Sequence, residues 1–193
     1  MNTLFGPSGL LVVPTAYATP HQEVQFSTSF GKDIRGPAAN YGIIQGVEIG
    51  GAFMDREKAS NKTIANAKVS IVPENFKNFV LGIGVIDVAD AIDRSFYFVA
   101  SASFTPPNWD LPRPAEGRPI ALRLHAGVGT GLFQEEIFGG GELLIDPRFA
   151  LIGEWDTKNF NGALRYRHNE SFAIQLGFQH TDLFLGATYS LRF

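Results

Sequence analysis

Residues Ser171–Gln179 read S-F-A-I-Q-L-G-F-Q, with Phe172, Ile174, Leu176 and Phe178 on one face and Ala173, Gln175, Gly177 and Gln179 on the other. A period of two marks an extended strand whose faces meet different surroundings. Working outward, Leu185–Phe193 sets Leu185, Ala187, Tyr189, Leu191 and Phe193 against Gly186, Thr188, Ser190 and Arg192. Ile120–Gly129, Glu23–Phe30 and Asn161–Arg167 alternate in the same way, and no segment carries a convincing helical period. With turn residues as boundaries, strands are expected at 23–30, 40–44, 47–54, 63–72, 79–87, 95–104, 120–128, 139–145, 149–155, 161–167, 171–178 and 184–193.

The composition of the two faces points to the class. A soluble sandwich should carry many Lys and Glu on its solvent face, whereas here the polar face is Ser, Gln, Asn, Gly and Thr and the other is aromatic and aliphatic. Small polar residues suit a confined lumen, and an aromatic-rich face suits lipid, with aromatics near strand ends placed as interfacial belts. The expected fold is therefore all-β: an antiparallel up-and-down transmembrane β-barrel of about twelve strands, with ten to fourteen compatible with the shorter ones. Residues 1–22 form an N-terminal segment at or in the barrel mouth, and residues 23–193 form the barrel. Connections are expected to be mostly tight on one rim and longer on the other, where Gly31–Ala39 counts as a loop. The Pro-rich excursion Thr105–Pro119 is the exception on the short rim. A soluble β-sandwich or ligand-binding β-barrel with Phe in its core is the alternative.

Composition narrows the chemistry. The chain has 193 residues, 45% hydrophobic and 18% charged, which opposes disorder. Its net charge of −3 provides no broad basic surface for nucleic acid. With no cysteine, thiolate catalysis, disulfides and Cys-ligated metals are excluded. The four histidines His21, His125, His168 and His180 lack metal-ligand spacing, so no metal and no cofactor is expected. The pattern G-x-S-x-G is absent and His125 has no evident serine partner, so no catalytic residue is assigned. The Gly-rich runs Gly127–Gly131 and Gly139–Gly141 precede no helix and read as strand geometry.

Alternation points Glu48, Lys68, Arg123, His125, Glu142, Glu154, Arg165, Arg167 and Arg192 into the lumen, with Gln25, Asn66 and Gln175. They are expected to form a polar network that is either structural or solute-lining. Glu154 is expected to pair with Arg165 or Arg167 across the 156–160 loop.

Two stretches carry a resemblance. Gly6-Pro7-Ser8-Gly9-Leu10 followed by Pro14-Thr15-Ala16 resembles the opening of YjbH-like outer-membrane proteins, bacterial barrels associated with exopolysaccharide production. Glu154-Trp155-Asp156, Asn161-Gly162 and Arg165-Tyr166-Arg167 resemble the same family's strand–loop–strand signature, and the hairpin from Tyr41-Gly42 to Gly46–Gly50 has a similar look. Phe193, after Tyr189 and Leu191 at alternating positions, resembles the C-terminal assembly signal of outer-membrane barrels. The resemblance implies a non-catalytic outer-membrane scaffold or partner in exopolysaccharide production or export. Its implied partners are membrane lipid, the barrel-assembly machinery, and polysaccharide or export proteins. A small outer-membrane channel or porin is the alternative. No Lys or Arg precedes Lys32, so an export signal is expected to have been removed upstream of Met1.

Overall fold

The computed structural model describes residues 1–31, 34–56, 60–74, 78–104 and 121–193. Twelve antiparallel strands close into one barrel: β1 (Glu23–Phe30), β2 (Ile34–Ile44), β3 (Val47–Arg56), β4 (Lys62–Ile71), β5 (Phe79–Ile86), β6 (Ser95–Phe104), β7 (Ala121–Gly129), β8 (Ile137–Leu144), β9 (Phe149–Trp155), β10 (Phe160–Arg167), β11 (Phe172–Gln179) and β12 (Asp182–Arg192). Each strand pairs with its sequence neighbours, and β12 returns to β1 with Glu23 opposite Arg192 and Phe30 opposite Leu185. Closure leaves no strand edge unpaired. An even strand number puts both ends of the barrel on one rim, here called the terminal rim.

β2 corrects the sequence reading. Gly36 and Pro37 look like breakers, yet they lie inside the strand, opposite Ser29 and Thr28 of β1. The β2–β3 pairing skips from Arg35↔Asp55 to Ala38↔Ala52, so the donor that Pro37 lacks falls where the ladder is already interrupted. Of the nine residues expected as a loop, 34–39 belong to the strand. At the distal rim only this first connection departs from the expected mix of longer loops and short turns. Connections at the distal rim run from two residues (180–181) to eight (87–94), and the terminal rim has its own two-residue turn at Gln45-Gly46. The excursion Thr105–Pro119 lies outside the described residues, as does Asn75 of the 73–75 turn.

Outward positions carry exposed Phe26, Phe53, Phe98, Leu124, Leu151, Leu164, Leu176, Leu185 and Tyr189, among others. Among the described residues, the charges on the outward face of the strands are Arg35 and Asp55, paired at 2.8 Å near the distal rim.

The inward face is less uniformly polar than the alternation implied. In the distal half, Met54, Ile64, Ile86, Tyr97, Val99 and Phe138 point inward and are buried. Phe133, from a 3-10 turn at Gly131–Phe133, stacks on Phe138 with ring centres 4.3 Å apart and closes that end. The remaining space is filled by the chain's own N-terminal segment. Leu10, Leu11 and Val13 have no exposed surface, and Leu4 and Val12 are buried with them. Leu4 and Leu10–Val12 pack on Ile152, Ala163 and Phe184, while Val13 and Ala16 join the distal cluster.

Candidate functional site in the barrel lumen

An irregular segment buried in a barrel must find a partner for every amide and carbonyl. Part of the demand is met internally: Thr3 N–H donates to Pro7 O at 2.7 Å, Leu4 N–H to Leu11 O at 2.7 Å and Leu10 N–H to Val13 O at 3.0 Å. The barrel meets the rest through inward side chains. Asn40 Nδ2 donates to Gly6 O at 2.7 Å, Asn66 Nδ2 to Phe5 O at 2.8 Å, and Ser70 Oγ to Ala16 O at 2.5 Å. Ser101 Oγ accepts from Ala16 N–H at 2.9 Å. The Asn and Ser residues on the inward face thus act as a hydrogen-bonding mould for the segment.

Two buried carboxylates hold it most firmly. Glu48 accepts from Ser8 N at 3.0 Å, Ser8 Oγ at 2.6 Å, and Thr19 N and Oγ1 at 2.7 Å each. Lys68 lies 3.6 Å from Glu48 and donates to Ser8 Oγ, to Ser8 O at 2.9 Å and to Thr15 O at 3.2 Å. Ser8 is therefore pinned between an acid and an ammonium group, both themselves buried. On the far wall, Glu154 accepts from three consecutive amides, Leu11 at 3.0 Å, Val12 at 2.8 Å and Val13 at 3.2 Å, and from Asn161 Nδ2 at 3.0 Å. Amide donors converging on a carboxyl group offset part of the cost of burying it without a counter-ion.

The expected pairing of Glu154 with Arg165 or Arg167 does not form. In the register Glu154 faces Asn161, whereas Arg165 faces Ala150, four residues along the strand. Arg165 instead bonds Glu142 at 2.7 Å, Gln175 at 3.0 Å and Gly9 O at 3.4 Å. Arg123 reaches the other oxygen of Glu142 at 3.5 Å. Arg167 and Arg192 have inward parity but are exposed at the ends of β10 and β12. Of these two, Arg167 lines the mouth of the cavity. Phe193 is 78% exposed beyond β12, and its amide donates to Gln22 O at 2.9 Å.

His125 does have a serine partner, contrary to the sequence reading. Ser101 lies directly opposite it on β6, and Ser101 Oγ is 2.8 Å from His125 Nδ1. Cross-strand neighbours 24 residues apart leave no local motif, so only the pairing of strands could have found this contact. The pair is not arranged for nucleophilic attack, because Ser101 is fully buried and its oxygen also accepts Ala16 N–H. Among the described residues, no three His, Asp or Glu side chains cluster as metal ligands.

Between the segment and the terminal rim a cavity of about 370 Å³ remains, lined by Tyr17, Gln25, Ser103, Arg123, His125, Glu142, Arg165 and Arg167 with parts of the segment. The Arg123 guanidinium sits 5.8 Å from the centre of the Tyr17 ring. Burial raises the Tyr17 phenol above its ordinary pKa, and Arg123 pulls it partly back. The lumen is thus a plugged tube with a cationic vestibule at one end. No protein-family model matches the chain, and no curated protein matches it.

Proposed function

We propose that this chain is a non-catalytic barrel of the bacterial outer membrane that acts as a scaffold or partner in exopolysaccharide production or export, closed by its own N-terminal segment. The exposed apolar girdle, broken among the described outward positions only by the Arg35–Asp55 pair near one rim, supports the lipid setting. Exposed apolar area of that extent on a soluble barrel would drive association. The observation that carries the non-channel role is the occupied lumen, in which seven donors of Ser8, Leu11, Val12, Val13 and Thr19 end on Glu48 and Glu154. The link to exopolysaccharide rests on the resemblance; of the residues carrying it, Ser8 meets Glu48 inside the barrel, and Glu154 holds the amides of Leu11–Val13, which lie between the two N-terminal stretches.

Deleting the gene should lower surface polysaccharide, and the protein should fractionate with outer membranes as a heat-modifiable band. Normal polysaccharide in the deletion strain would remove the proposed role. Recovery of the chain as a detergent-free soluble monomer would remove the membrane setting.

A further inference from the structure

The vestibule is chemically unbalanced. Arg123, Arg165 and Arg167 line it with Glu142 as the carboxylate beside them. Both Glu142 oxygens are already engaged, one by Arg165 at 2.7 Å and the other by Arg123 at 3.5 Å. Arg167 has no ion pair or side-chain hydrogen bond to any described residue. Within the vestibule one carboxylate faces three guanidinium groups. Glu23 and Glu170 line the adjoining space at the rim and form no ion pair with Arg167. A low-dielectric wall concentrates the positive field of the vestibule.

The same cavity holds polar groups without partners. His125 is 4% exposed and has its Nδ1 on Ser101, while its Nε2 has no hydrogen-bond partner among the described residues. Gln25, buried in the same lining but on β1, across the barrel from His125 on β7, likewise leaves Oε1 without one. Buried polar atoms are ordinarily satisfied by protein or water, so these two mark positions where a hydroxyl group, of water or of a guest that displaces it, would bond. The half-buried Tyr17 ring adds a flat apolar wall next to Arg123. The volume of about 370 Å³ falls at the small end of the roughly 300–1,000 Å³ of ligand pockets. It is enough for one sugar ring with some of its water.

We propose that the vestibule binds a carboxylated sugar, a uronate. The carboxylate lies on the guanidinium groups of Arg123 and Arg167, whose planar forks match it. The ring lies along Tyr17, and its hydroxyls reach His125 Nε2 and Gln25 Oε1. This deepens the polysaccharide reading and rests on it only for the source of the sugar.

The test is a calorimetric titration of the full chain in detergent micelles with glucuronate, glucose and acetate. Glucuronate should bind at least tenfold more tightly than either control. Its affinity should fall at least tenfold in Arg167→Gln, whose exposed position keeps the barrel folded, and again in Arg123→Gln. Absence of glucuronate binding, an unchanged affinity in both variants, or acetate binding as well as glucuronate would each overturn the proposal, the last by showing a bare anion site. The deletion strain separates the two readings. Lowered polysaccharide without glucuronate binding removes the site and leaves the role, and binding with normal polysaccharide does the reverse.

Discussion

Glu154 carries its carboxylate to a point where Leu11, Val12 and Val13 present three consecutive amides, and Asn161 donates from the neighbouring strand. Glu154→Gln keeps the shape but replaces one accepting oxygen with an NH₂ group that faces other donors. It should lower unfolding stability by about 1–3 kcal/mol, the cost of leaving buried donors unsatisfied. The register assigns the coupling. Glu142→Gln with Arg165→Gln should be clearly less than additive, because these two side chains touch at 2.7 Å. Glu154→Gln with Arg165→Gln should add to within about 0.5 kcal/mol, since the residues are four positions out of register. Urea titrations of the unmodified chain, the three single variants and the two double variants in lipid vesicles would measure both cycles. Gly6 is a second sensitive point: its φ is +107°, and a Cβ there would lie 2.3 Å from Asn66 Nδ2. Gly6→Ala should therefore cost about 1–3 kcal/mol in the same assay through backbone strain.

At the scale of the strand, the outward row Leu164↔Leu176↔Leu185 crosses three neighbouring strands at matching height. If this row faces hydrocarbon, Leu164→Arg or Leu176→Arg should cost roughly 2–4 kcal/mol in bilayers. Ser190→Arg, which projects into the space at the terminal rim, should cost much less in the same measurement. Equal costs would contradict the lipid-facing assignment. The strands were the most legible part of the sequence because period two is local: Phe172 to Gln179 declares its two faces without reference to any other residue. All twelve expected strands form, most of them with ends moved by one or two residues. The failure at 34–39 is also physical. Arg35, Gly36, Pro37 and Ala38 offer no apolar alternation, and their strand conformation is imposed by the partners on β1 and β3. The inward set was legible as parity but not as contacts, since Ser101 with His125 and Glu142 with Arg165 depend on which strand lies beside which.

At the scale of the whole molecule, the sequence placed residues 1–22 at or in the barrel mouth but did not disclose that they fill the tube. Leu10-Leu11-Val12-Val13 is an apolar run with no partner face of its own. Its destination becomes apparent only once the barrel supplies Glu154 for its amides and Ile152, Ala163 and Phe184 for its side chains. The lumen holds paired charges, Lys68 with Glu48 and both Arg123 and Arg165 with Glu142. Glu48 and Glu154 also bind the segment, however, and this sets the electrical behaviour. Ions entering from the terminal rim meet the Arg-lined vestibule and then a dry cluster of Val13, Ala16, Tyr97, Val99, Phe133 and Phe138. Such a path should pass no steady current, so the unmodified chain in planar bilayers should remain silent. Loosening the segment should change that result. Glu48→Gln combined with Glu154→Gln weakens the acceptors of seven segment donors, each bond being worth roughly 0.5–1.5 kcal/mol net. The apolar contacts of Leu4, Leu10, Leu11 and Val12 remain in place, so the segment should leave intermittently and the variant should show brief, irregular openings while the barrel stays heat-modifiable. Large steady currents from the unmodified chain would instead favour a channel. A variant that folds and stays silent would show that apolar packing alone holds the segment in the lumen.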